Sequence, residues 1–311
     1  MEEYDYYPQK PELVEKKINK GIGKTIFSIL LFIMAFSLIG AGDFQFILFL
    51  VIVLLVHELG HFAMMKLFKY KDVQMLFVPF MGAFVKGNRE NEKQTQSLLV
   101  ILAGPIPGIV IGLILLYLGN NNNELKWMTD LAFLFLFLNS LNLLPLDPLA
   151  GGQLLKLLVD NKQERFQLIF TFISSLVLIL AGWYFELWLI VIFGFFMGFR
   201  VKAIQKNYQI HKELDVQEVN YNTSYKLLSN KDFSFIKKVV IQYTPALRTY
   251  IDQIDDDSLD PVIASQVNNV LVNPFKKNAS FVYKTLIILI WVLAFVSPFI
   301  AAYFFNYYSL L

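Results

Sequence analysis

Residues 44–68 read FQFILFLVIVLLVHELGHFAMMKLF. Phe44–Val56 hold a single polar residue, Gln45. An apolar run of about 20 residues, at 1.5 Å rise per residue, crosses a bilayer as a helix. In lipid only a helix or a closed barrel satisfies its own backbone. The run is continuous and does not alternate, so a barrel strand is excluded. The same helix then carries His57, Glu58 and His61. Ionisable side chains inside an apolar span are costly and mark function.

The rest of the chain repeats the pattern. Of 311 residues, 56% are hydrophobic, 16% aromatic and 17% charged, with mean hydropathy +0.51. A soluble chain is nearer 45–50% apolar and about 25% charged. Besides the opening stretch, apolar runs fall at 25–41, 97–118, 127–144, 166–185, 187–199 and 280–305. The fold class is therefore an all-α polytopic membrane protein of about six to seven spans. The runs at 166–185 and 187–199 are expected to form a tight helical hairpin turning near Glu186. The net charge of +2 excludes a nucleic-acid binder, and the absence of cysteine excludes disulfides, thiolate metal sites and thiol nucleophiles.

Charge orients the spans. Lys16, Lys17, Lys20 and Lys24 precede the first, in a polar tail that lacks the pattern of a cleaved signal peptide. The positive-inside rule places that end in the cytosol. The basic residues of 66–96, then Lys156, Lys162 and Arg165, then Arg200, Lys202 and Lys206 all fall on the same side. The Asn-rich turn around Asn120–Asn123 falls outside. Four parts follow: a cytosolic tail 1–24, a membrane core 25–199, a cytosolic helical insert 200–279 and a final span 280–311. Apolar residues recur at helical spacing around 233–250 and 262–272 in the insert, which also holds Asp255, Asp256 and Asp257.

Positions i and i+4 share one face of a helix, about 6 Å apart. His57 and His61 so placed suit one zinc ion, and Glu58 beside them suits the general base of a metal-assisted hydrolysis. Zinc lowers the pKa of a bound water to about 7 and polarises a carbonyl. The plainer reading is a pair of helix-end histidines without a ligand. A third protein ligand is expected. His211, in the insert, is a poor candidate because nothing brings it near the second span. An acid in the segment Asn142-Leu143-Leu144-Pro145-Leu146-Asp147-Pro148-Leu149-Ala150-Gly151-Gly152-Gln153 is a better one. That segment returns to the membrane on the cytosolic side, with prolines and glycines that force irregular backbone.

Taken together, these motifs resemble the site-2 protease family of intramembrane zinc metalloproteases. The resemblance rests on His57-Glu58-Leu59-Gly60-His61, on Ala103-Gly104-Pro105, and on Asn142-Leu143-Leu144-Pro145 with Pro148-Leu149 and Gly151-Gly152. It spans roughly residues 25–165. The stretch from Val78 to Val85 resembles the short membrane-associated β-hairpin that follows the HExxH helix in that family. One departure stands out. The family's second motif ends Leu-Asp-Gly, its Asp being the third zinc ligand, and here the residue before Gly151 is Ala150. Either Asp147 takes over ligation, or the ligand is missing and the site is impaired, by nature or by substitution. Asp147 also reads simply as a turn-capping acid.

The resemblance implies cleavage of a peptide bond in or near the transmembrane segment of a membrane-protein substrate, within the bilayer and at its cytosolic side, in a prokaryotic inner membrane. Zinc would be held by His57, His61 and Asp147, with Glu58 catalytic. Asn142 would contact substrate, although a helix-packing contact is the plainer reading of Asn139 and Asn142. The substrate would unwind and add as a strand near Gly82. Gly104, Gly108 and Gly112 recur every four residues and read as close helix packing. The rival to the protease is a catalytically impaired relative that binds membrane proteins. A metal transporter ranks last, since too few acids and histidines lie in the spans.

Overall fold

The computed structural model describes residues 7–13, 22–38, 43–79, 82–89, 92–120, 125–159, 164–253, 260–272 and 275–304. Lys16, Lys17, Lys20, Asn121–Asn123, Lys162 and Asp255–Asp257 lie outside the described residues. The helix α1 spans Ile22–Leu38 and α2 spans Phe44–Leu67. An antiparallel hairpin follows, β1 (Lys71–Val78) and β2 (Gly82–Asn88), paired from Lys71↔Asn88 to Val78↔Gly82 with an irregularity before Gln74. It is longer than the stretch expected from the sequence. Gly82 opens β2 at φ +90°, a left-handed conformation that glycine adopts without strain.

After β3 (Glu92–Lys93), the predicted third span is two helices, α3 (Gln94–Ala103) and α4 (Pro105–Asn120). The break comes at Gly104 because Pro105 has no amide hydrogen to continue the ladder. Next are α5 (Lys126–Asn142), α6 (Ala150–Leu158) and α7 (Glu164–Tyr184). A tight turn through Glu186, at φ +57°, leads to α8 (Trp188–Val216), as the hairpin reading expects. However, α8 does not stop at residue 199. It runs on through its charged half, since nothing there breaks a helix.

Among the described residues four helical segments are long and apolar enough to cross a membrane: α2, α3 with α4, α7 and the last helix, α12 (Phe281–Phe304). The helix Gly23–Leu38 is apolar but shorter. On α7 and α12 large apolar side chains such as Ile169, Phe172, Leu289 and Leu293 are exposed, as lipid-facing surfaces require. Buried apolar residues of α3, α4, α5, α6 and α12 form one core, with Leu98 and Leu154 fully enclosed. Phe32, Val51, Met75 and Phe77 pack α1 and α2 on the hairpin.

The charged half of α8 packs with a 3-10 turn (Tyr225–Leu227), α9 (Asn230–Gln242), α10 (Pro245–Gln253) and α11 (Asp260–Val270) into a helical module. Ile210, Leu214, Ile236, Ala264 and Val267 form its centre. The strand β4 (Phe275–Lys276) then pairs in parallel with β3 and returns the chain to the head of α3. There Asn278 accepts from the Thr95 amide at 3.2 Å and the Tyr283 hydroxyl donates to the Thr95 carbonyl at 3.0 Å.

Candidate metal centre

Glycine at position 60 sets the first distance. A Cβ there would lie 1.8 Å from the Ala103 carbonyl oxygen, so α2 and α3 meet backbone to backbone. This brings the Val100 carbonyl to 2.7 Å from His61 Nδ1. On the other side Gly108 leaves room for the Asn139 side chain, which a Cβ would strike at 2.2 Å. Asn139 donates its amide to the Phe135 carbonyl at 2.7 Å and so turns Oδ1 toward His57 Nδ1, also at 2.7 Å.

These partners fix the proton positions. A carbonyl oxygen only accepts, so each Nδ1 carries a hydrogen. In the neutral rings each Nε2 is then a lone pair. The two Nε2 atoms lie 3.2 Å apart with the rings at 74°. Two lone pairs facing at that distance repel unless a cation lies between them. Binding one nitrogen to a metal while the other donates to a carbonyl is how metal-ligating histidines are held. Gly104 keeps the space clear: a Cβ there would lie 2.3 Å from His61 Nε2 and 2.8 Å from His57 Nε2.

Glu58, between the two histidines in sequence, is 5% exposed. The Val85 backbone lies near its carboxylate, and Oε2 has no hydrogen-bond partner among the described residues. A buried carboxylate oxygen without a donor is costly unless it faces a reactant or an ion. The histidine pair and this oxygen fit a zinc ion in the donor chemistry they offer.

The fit stops at two nitrogen ligands. Among the described residues no group of three His, Asp or Glu side chains that could hold a metal is formed. Asp147, expected at the metal if it replaces the ligand absent at Ala150, is engaged elsewhere. Its carboxylate lies 2.5 Å from Lys156 Nζ and 3.7 Å from an Arg200 nitrogen. Thr171 donates to Oδ2 at 2.7 Å, and the Asp147 amide donates to Ser174 at 3.0 Å. Burial lowers the Lys156 pKa from its ordinary value despite the bond to Asp147. Ala150 opens α6 and is buried.

The other predicted residues divide. Asn142 donates to the Leu138 carbonyl of its own helix, 3.2 Å away, while Asn139, three residues earlier, reaches His57. Gly82 is at the hairpin turn. Gly112 packs on Leu136 and Gly108 on Asn139, as close helix packing expects, but Gly104 packs on the imidazoles. His211 belongs to the helical module, between Glu164 and the Val270 carbonyl, away from the pair. The Val100 carbonyl is a main-chain group, which no side-chain motif announces.

A solved structure, the site-2 protease from Methanocaldococcus jannaschii, is similar at 22% identity and TM-score 0.44 over 57% of this chain and 87% of that chain. Stage IV sporulation protein FB of Bacillus subtilis is 33% identical over 132 residues, 40% of this chain and 44% of that protein. Zinc metalloprotease MJ0392 of M. jannaschii is 28% identical over 144 residues, 44% of this chain and 42% of that protein. The matches thus span less than half the length of each curated relative. Residues 45–129, which hold both histidines and the hairpin, match the model of peptidase family M50. The resemblance to the site-2 protease family drawn from the HExxH and Asn-Leu-Leu-Pro motifs therefore holds, over the part of the chain that these matches cover.

Proposed function

We propose that this chain is an intramembrane zinc peptidase that hydrolyses a peptide bond in or near the transmembrane segment of a membrane-protein substrate. The observation that carries the reading is the unpartnered Oε2 of Glu58 beside two imidazoles whose lone pairs face each other. His57 and His61 would hold the metal, which supplies an activated water and polarises the scissile carbonyl. Glu58 would take a proton from the attacking water and give it to the leaving amine. Asn139 and the Val100 carbonyl hold the rings in the tautomer this needs.

A substrate helix hides its carbonyls in hydrogen bonds and must unwind to react. The Val85 backbone lies near Glu58, on a strand, β2, whose sheet holds only β1 beside it among the described residues. A substrate strand added to the free edge of β2 would lay its own backbone along the site. The chain would lie in a prokaryotic inner membrane with residues 1–24, the site and the insert 200–279 on the cytosolic side. Glu58→Gln is expected to lower cleavage of a reporter transmembrane substrate about 10²- to 10⁴-fold, the worth of a general base, with zinc content unchanged. Equal cleavage by the two purified proteins would sink the mechanism.

The engaged Asp147 favours a second reading, in which two histidines alone hold metal weakly and the chain binds membrane proteins without cleaving them. Zinc analysis of the purified protein beside Ala150→Asp separates the readings. One tightly held zinc per wild-type chain supports the peptidase. Zinc held only by Ala150→Asp, with affinity raised about 100-fold or more, supports the binder.

A further inference from the structure

Residues 7–13, Tyr-Pro-Gln-Lys-Pro-Glu-Leu, lie against the helical module, far from them in sequence. Lys10 is at the centre. Its ammonium donates to the carbonyls of Tyr225 at 2.8 Å, Lys226 at 3.2 Å and Leu228. That uses all three of its N–H donors. The same nitrogen lies 5.4 Å over the Tyr225 ring. These carbonyls close the 3-10 turn, where only that of Tyr225 accepts a bond within the turn, from the Leu228 amide at 3.3 Å, and a cation is favoured. A flat guanidinium fork cannot direct three donors at three carbonyls around one point.

The main chain is read as well. The Lys10 amide donates to Asn230 Oδ1 at 3.1 Å, and the Tyr225 hydroxyl donates to the Pro11 carbonyl at 2.8 Å. Leu13 packs on the module's core, and the Tyr7 ring lies 6.1 Å from that of Phe235. Pro8 and Pro11 fix their own φ and hold the residues before them extended. The segment therefore docks at a low entropic cost, as polyproline ligands do.

We propose that the surface around Tyr225, Asn230 and Phe235 is a peptide-binding groove selective for an extended Pro-x-Lys-Pro-x-Leu segment, and that residues 7–13 of the same chain fill it as a strap. The helix α1 begins nine residues after Leu13. It grips β1 through Thr25, which donates to the Met75 carbonyl, and Ser28, which accepts from the Phe77 amide. The strap thus ties the module to the hairpin side of the membrane core.

A chain without cysteine allows a clean test. The full-length variant Tyr7→Cys/Phe235→Cys, in native membranes, is treated with a short bis-maleimide. The expected product is a crosslink within one chain. Adding Lys10→Ala to that variant should lower the crosslinking yield about tenfold, the worth of a charge-assisted hydrogen bond. Excess synthetic peptide of residues 4–15 should compete with the crosslink, and the same peptide with Lys10→Ala should need about tenfold more to do so. Failure to crosslink, crosslinks between two chains, or equal competition by the two peptides would overturn the proposal.

Discussion

Asp147 is 1% exposed and His57 is 6% exposed, but only the acid has its charge answered within the chain. Around Asp147 stand an ammonium, a guanidinium and a hydroxyl. Around His57 and His61 every donor is spent on a carbonyl, and the remaining lone pairs meet each other. The first cluster is balanced in charge as it stands, although Oδ1 meets Lys156 without good hydrogen-bond geometry. The second, on the proposed function, is completed by a cation from outside. Burial of polar groups alone therefore does not mark a working site; what marks it is a buried arrangement that its own neighbours leave unbalanced.

The comparison breaks most visibly at Asp147. Asp147→Ala leaves Lys156 half-buried without its partner. The expected loss of stability is about 3 kcal/mol, the low end for a broken buried ion pair, because Arg200 and Lys156 keep some water. Thermal unfolding in detergent measures it. Zinc content should stay at the wild-type level. A fall in zinc to near zero would make Asp147 a ligand after all, and the two clusters would be one.

Much of this was legible before any coordinates. The apolar runs located most helix ends to within a few residues, because lipid demands continuous hydrophobic segments, but they missed the charged half of α8 beyond residue 199 and the break at Gly104. The i, i+4 spacing put His57 and His61 on one face because helix geometry permits nothing else. Pro105 marked the break in the third span only in hindsight, since proline is tolerated at a helix start. Asn139 and Asn142 could not be told apart, because which of them faces α2 depends on how Gly108 and Gly112 let α4 seat on α5. Asp147 was offered as a ligand by proximity in sequence. Besides Lys156 nearby, its partners Thr171 and Arg200 arrive from α7 and α8, and no local pattern encodes that meeting. The docking of residues 7–13 was hidden for the same reason.

Asn139 offers a finer way to sharpen the contrast. If its Oδ1 sets the His57 tautomer, Asn139→Leu should lower zinc affinity about 10- to 100-fold, as loss of a partner behind a metal-binding histidine does. Asn142→Leu removes only a bond to its own helix and should leave affinity unchanged. Chelator competition on the purified proteins measures both. Equal effects of the two substitutions would remove the tautomer argument and with it the reason for calling the pair unbalanced.

The third histidine reverses the logic of the first two, and gives the smallest effect. Both ring nitrogens of His211 face acceptors, the Glu164 carboxylate and the Val270 carbonyl, at 2.7 Å for the latter. Tyr221 stacks on the ring at 4.3 Å and donates its own hydroxyl to Asp215. Burial opposes charge on His211, but the bonds to Glu164 and Val270 and the nearby charges of Glu164 and Asp215 outweigh it and raise its pKa above the ordinary 6.5. A raised folded-state pKa means the charged imidazole stabilises the module. That contribution is fully present below the unfolded value of about 6.5 and is lost as pH rises through the folded value. Thermal unfolding followed from pH 6 to pH 9 should therefore show the wild type losing stability upward from about pH 6.5, and His211→Gln lacking that loss. Parallel curves would mean that His211 is held neutral. Zinc uptake should be indifferent to His211→Gln, because this histidine has its cation already, in its own proton.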